Sequence, residues 1–260
     1  MKNVIIVFVI LFSCPFSWGQ LNLVRNPGFE IYSNCPTTES LLYYASGWNA
    51  LDSNWTFGGT YPYSACYASY CNACATSISQ VSVPFGQYGF QYPHKGNGMV
   101  ESRIFDDGSF GYVAYTYLQG RLVQTLVLGQ SYCVTFYVVR GNTGDYAVNN
   151  IGAYLDGGYI DTTSHCYAPQ TEYSPQIVET AIISDTLNWT KIQGSFVANG
   201  TEKFITIGDF FDTAHIAKIH IVSTGTFAYY LIDDVSVIAS DALATAGPDE
   251  WMGEQATARI

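Results

Sequence analysis

The residues best placed to do chemistry are two adjacent carboxylates, Asp233 and Asp234, in the middle of the apolar, β-branched run Tyr229 to Val237, YYLIDDVSV. Successive residues of a strand point to opposite faces of a sheet, so one of the pair must turn inward, where an unpaired carboxylate is costly. Lys and Arg together number only 10, which makes a bound metal ion a natural counter-charge. A second acidic motif near the start, Asn26-Pro27-Gly28-Phe29-Glu30, offers Glu30 as a co-ligand. Glu101, Asp106, Asp107, Asp145, Asp209 and Asp212 are of the type that glycoside hydrolysis uses in facing pairs, but nothing in their spacing pairs them. The chain has no GxSxG elbow and no HExxH, and His94, His165, His215 and His220 lack metal-ligand spacing. His94, in the turn Pro93-His94-Lys95-Gly96-Asn97, reads as a packing or hydrogen-bonding residue. The expectation is a protein that is not an enzyme.

Binding is better supported. Sugars present apolar C–H faces and a rim of hydroxyls, which receptors meet with aromatic rings and hydrogen bonds. The chain carries 21 Tyr and 5 Trp. Between Cys35 and Pro93 it is rich in Tyr, Ser, Ala, Cys and Gly, a composition of long loops, and Trp55, Tyr61 and Tyr63 there are the candidate ligand-binding residues.

The elements that must position these groups are strands. Leu21 to Val24, Met99 to Ile104, Val113 to Leu118, Ser131 to Val139, Ile151 to Leu155, Thr180 to Ile183, Trp189 to Phe196, Phe204 to Phe210 and Tyr229 to Val237 are β-branched or aromatic runs bounded by turn residues. Tyr132, Val134, Phe136 and Val138 alternate with Cys133, Thr135, Tyr137 and Val139, and both sets are largely apolar, which predicts a central strand covered on both faces. No window shows sustained helical periodicity, so the fold class is all-β, a sandwich.

The first residues combine Lys2, an apolar run from Val4 to Phe12 and small residues around Trp18, the pattern of a signal peptide over 1–19. Leu11-Phe12-Ser13-Cys14 offers a lipoprotein box with Cys14 acylated as the alternative. No later run reaches the ~18 apolar residues of a membrane helix, so no membrane span is expected in the mature chain. Export makes disulfides natural, with Cys35, Cys66, Cys71, Cys74, Cys133 and Cys166 as candidates whose pairing the sequence leaves open. The formal charge of −11 gives no basic face for phosphates, so nucleic acid is not an expected partner. One domain is expected over 20–240, and 241–260, with Ala246-Gly247-Pro248-Asp249, reads as a linker or the start of a following module.

Taken in order, Leu23 to Glu30, Gly47-Trp48, Gly129-Gln130-Ser131-Tyr132, Asn188-Trp189 and YYLIDDVSV resemble galactose-binding-like jelly-roll domains, among them carbohydrate-binding modules. Gly89 to Asn97 and Tyr146 to Tyr154 also resemble segments in the N-terminal domains of large bacterial surface proteins exported by the type IX route. The resemblance implies a jelly-roll β-sandwich and a structural calcium ion joining first and last strands, with Glu30 giving a side-chain oxygen and Asp233 its side chain and carbonyl. Such an ion takes six to eight oxygens, many from the backbone, so few acidic side chains need be visible. Asp234 is then expected to face solvent, and Trp48 and Trp189 to lie in the core. The implied function is a secreted or cell-surface, adhesin-like module directed at a glycan or cell-surface polysaccharide. A spacer or protein-interaction domain without a sugar site is the alternative, and a glycoside hydrolase is a third.

Overall fold

The computed structural model describes residues 21–50, 68–76, 80–109, 115–158, 160, 171–221 and 225–240. In chain order the strands are β1 (Trp48–Ala50), β2 (Ala68–Asn72), β3 (Phe85–Gly86), β4 (Gly89–Phe90), β5 (Gly98–Asp106), β6 (Leu118–Arg121) and β7 (Ser131–Arg140). There follow β8 (Tyr146–Val148), β9 (Ile151–Asp156), β10 (Ile177–Val178), β11 (Thr190–Val197), β12 (Phe204–Asp209), β13 (Lys218–His220) and β14 (Phe227–Ala239). Helix is confined, among the described residues, to one 3-10 turn at Leu42–Tyr44.

Two five-stranded antiparallel sheets form a jelly-roll β-sandwich, the first in the order β1-β6-β12-β9-β10 and the second in the order β11-β7-β14-β5-β2. Alternation decides what lies between them. On β7 the even-numbered set Tyr132, Val134, Phe136 and Val138 packs in the main core with Val100, Ile104, Tyr230 and Ile232 of the neighbouring strands. The first sheet answers with Trp48, Leu118, Ala153, Leu155, Ile205 and Ile207. The odd-numbered set of β7 is also partly covered, as expected: His94 stacks on Tyr137, and Val139 is buried in a second cluster on that face. This second, smaller apolar cluster comprises Cys71, Val81, Met99, Val139 and Leu231, with Ala75, Val83 and Trp189 packed against it.

Three expected strands are broken up. Leu21 to Val24 makes one bridge, Val24 with Leu122, because its bonds are shared between sheets: Leu23 N–H donates to Val237 O and Val123 N–H to Leu23 O, both at 2.8 Å. Residues 115–117 likewise cross between layers. Thr116 N–H donates to Arg103 O on β5, and only from Leu118 does the chain join the first sheet. Thr180 to Ile183 forms no ladder, its Ile183 N–H bonding singly to Val148 O.

The cysteines divide differently from the expectation that all six pair. Cys35 and Cys74 form a disulfide that ties the segment after Glu30 to the turn after β2, and Cys133 is disulfide-bonded as well. Cys71 is a free, buried thiol. It lies on β2 and joins the smaller cluster, whereas Cys74, past the strand end, is placed in the turn that meets Cys35. Cys66 and Cys166 lie outside the described residues. Trp48 is a core residue at 1% exposure, but Trp189 is not: it stands on the outer face of the second sheet, against the smaller cluster.

Candidate functional site

Glu30 and Asp233 meet on one loop. Residues 94–98 lead into β5, and Glu30 Oε1 accepts the N–H groups of Asn97 at 2.7 Å and Gly98 at 2.8 Å. Asp233, fully buried, accepts Lys95 N–H on Oδ2 at 3.1 Å and Asp234 N–H on Oδ1 at 2.7 Å. Gly96 makes this clasp possible. Its φ of +68° favours glycine, and a Cβ there would collide with Glu30 Oε1.

Asp234 does not turn to solvent. The pairing of β14 with β7 shifts register between Asp233 and Ser236, and Asp234 takes a positive φ of 50°. This bulge cancels the alternation from which the outward orientation followed. Its carboxylate instead pairs with His94 Nδ1 at 2.5 Å and Lys95 Nζ at 3.6 Å. His94 also stacks on Tyr137 at 3.7 Å, so its expected packing role holds. A Cβ on Gly28 would lie 3.5 Å from Asp234 Oδ1, 3.7 Å from Asp233 Oδ1 and 3.9 Å from Glu30 Cγ, which shows how closely the three side chains converge. Left-handed backbone recurs at Asn26 and Phe29, the kind of local strain found where a site is over-determined by its surroundings.

The donor chemistry fits a hard cation. Besides the carboxylates, the carbonyls of Gly28 and Phe29 lie 3.3 and 2.5 Å from where a Gly98 Cβ would stand. Burial pushes the Asp233 carboxyl up to about 8, with the Lys95 N–H acting against it. Among the described residues the Lys95 ammonium reaches Asp234, and no ion pair is made to Asp233. Among the described residues no group of three or more His, Cys, Asp or Glu side chains has the arrangement of a metal site, so a cation here would depend on backbone oxygens as well.

A groove of about 300 Å³ lies on the outer face of the first sheet, lined by Tyr173, Pro175, Val178, Phe210, Phe211 and the Asp212–His215 pair. Rings behind the lining support it: Tyr154 of β9 packs against Tyr173 at 5.3 Å and against Phe210, just past β12, at 6.0 Å, and Tyr117, just before β6, meets Phe210 at 5.2 Å. Gly208 permits this, because the Tyr117 ring occupies the space a side chain would need. At the rim Asp212 and His215 Nδ1 are 2.7 Å apart and both exposed, and the imidazole holds the Asp212 carboxyl below its ordinary range. Neither Phe210 nor Tyr173 stood out in sequence: Phe210 ends a strand run, and Tyr173 follows a turn-rich stretch. Trp55, Tyr61 and Tyr63 lie outside the described residues.

The candidate hydrolytic carboxylates do not assemble. Glu101 is buried beneath the β3–β4 hairpin, with neither oxygen at hydrogen-bonding geometry to a partner, although the Cys71 thiol and the N–H groups of Tyr88 and Gln87 lie near. Burial pushes its carboxyl up to about 8. Asp209 points into the sandwich, fully buried, and is also raised by burial. Asp106 lies by Arg103, Asp107 accepts a hydrogen bond from Tyr146, and Asp145 accepts Phe227 N–H.

No protein-family model matches the chain, and no curated protein matches it. Among solved structures, the chain is similar to the xylan-binding CBM22-1 domain of Xyn10C from Paenibacillus barcinonensis, at 11% identity and a TM-score of 0.39, covering 86% of this chain and 99% of that one. It is also similar to the K1 cleaved adhesin domain of Lys-gingipain from Porphyromonas gingivalis W83, at 19% identity and a TM-score of 0.38, covering 84% of this chain and 98% of that one.

Proposed function

We propose that this chain is an exported, non-catalytic binding module for neutral glycans, stabilised by a calcium ion. The observation that carries the reading is the aromatic groove on the first sheet. Tyr173 and Phe211 offer half-buried rings for the apolar faces of sugars, and Asp212 and His215 stand at the rim to bond hydroxyls. The protein's acidity disfavours anionic ligands. Trp55, Tyr61 and Tyr63 remain proposed ligand-binding residues beside the groove residues in this reading.

In this reading calcium is held by Glu30 and Asp233 with neighbouring backbone carbonyls, and it supplies the charge that balances Asp233. Glu30 and Asp233 then fix the 94–98 loop to the first and last strands from both sides. Titration calorimetry with neutral oligosaccharides tests the groove: Tyr173→Ala and Phe211→Ala should each weaken binding at least tenfold. Unchanged affinity in both variants would remove the groove from the account.

A further inference from the structure

A second aromatic surface lies on the opposite side of the molecule. Phe85, Phe90 and Tyr92 are 63, 45 and 60% exposed, although large rings at such positions gain nothing for the core. They form a row: Phe85 to Phe90 at 5.0 Å and 73°, Phe90 to Tyr92 at 5.5 Å and 89°. Trp189 continues it, donating from its indole N–H to Tyr92 O at 3.2 Å. The rings sit on the β3–β4 hairpin and the segment after it, over the outer face of the second sheet, whereas the Tyr173–Phe211 groove opens on the outer face of the first.

The mount is rigid. Tyr88, at the hairpin tip, stacks on Tyr229 of β14 at 3.6 Å and 10°. Gln87 N–H donates to Gln80 O at 2.7 Å, Gln91 N–H to Pro84 O at 2.9 Å, and the Ser82 hydroxyl to Phe85 O at 2.6 Å. Little ordering remains to be done on binding. The patch is also neutral on an acidic molecule. Glu101 lies beneath the hairpin, where burial pushes its carboxyl up to about 8, and Glu39 stands by the Gln87 side chain; farther along, Asp185 is held by the N–H groups of Leu187 and Asn188 and by the Asn188 amide, and Lys95 reaches Asp234. Protein hot spots seat aromatic anchors in desolvated pockets. These rings are instead left open to solvent, turned edge to face with centroids 5.0 and 5.5 Å apart.

We propose that Phe85, Phe90 and Tyr92 form a second contact surface for a neutral polysaccharide chain, so that one molecule bridges two chains. The proposal rests on the reading of the groove as a glycan site. One extended glycan cannot lie along both outer faces of the sandwich, so occupation of both cross-links.

The test uses the full chain with soluble neutral polysaccharides (mixed-linkage β-glucan, glucomannan and galactomannan) and their tetrasaccharides. The native protein should take up two tetrasaccharides and raise light scattering with the parent polymer near equivalence. The triple variant Phe85→Ala, Phe90→Ala, Tyr92→Ala, with an unchanged melting temperature, should take up one, bind it within twofold of native affinity and give no scattering. Tyr173→Ala with Phe211→Ala should also leave one site. A single site in the native protein, or scattering that persists in the triple variant, would overturn bridging while leaving the groove intact. A dimer that the triple variant abolishes would make a second copy the occupant and overturn it too. Failure of every tetrasaccharide to bind would sink both readings.

Discussion

Asp233→Asn should change how stability depends on pH in calcium-free protein. Burial raises the Asp233 carboxyl from 3.8 to about 8. At about 1.4 kcal/mol per pH unit the rise corresponds to about 6 kcal/mol, an upper figure for a rigid site. The folded pKa lies above the unfolded one, so the stabilisation is fully present below about pH 4 and is lost as pH rises through 8. The native state holds the proton that the unfolded chain gives up. The neutral amide has no proton to lose, and its cost is a fixed offset of about 1–3 kcal/mol for a mismatched hydrogen bond at Lys95 N–H or Asp234 N–H. Urea unfolding in chelator at pH 4, 6 and 8 measures both proteins. Glu101, also raised to about 8, loses stability over the same range in each, so the difference between the two curves isolates Asp233. The variant should close on the native protein and overtake it by pH 8. Calcium should then restore the native protein at pH 8, because it binds the ionised form, and do little for the variant. Parallel pH curves for the two proteins would refute the reasoning.

Three further outcomes follow from the same geometry. Gly96→Ala should lower stability by about 1–3 kcal/mol through its left-handed φ and the collision with Glu30, and thermal unfolding that does not move would contradict the clasp. Cys35→Ser with Cys74→Ser should cost about 3–4 kcal/mol, as expected for opening a loop of 39 residues, measured by urea unfolding with and without reductant. Cys71, free and buried with its thiol pushed well up by burial and by Glu101, should resist a thiol reagent in the native protein and react fully in denaturant; rapid native labelling would contradict its placement.

The sequence made the long strands plain and the connections obscure. β7, β9, β12 and β14 are β-branched runs whose two faces are both covered, so composition alone marks them. Residues 21–24, 115–117 and 180–183 have the same composition, but they pass between layers or bond singly, and only three-dimensional pairing reveals that. The metal candidates were legible as an acidic pair in an apolar strand, yet the orientation of Asp234 was not, because a bulge overrides the period of two. The cysteines show the same limit: Cys71 and Cys74 are three residues apart in sequence but are separated by the end of β2. The groove was hidden because its rings come from 117, 154, 173, 210 and 211, brought together only by the pairing of β12 with β6 and β9.

The most direct test of the account is a glycan array probed with the full chain in calcium and again in chelator. The account predicts retention on neutral glycans, weakened in Tyr173→Ala and in Phe211→Ala, and weakened in chelator near pH 8, where Asp233 is left without a cation. No retention on any glycan, with the protein folded and calcium present, would contradict it.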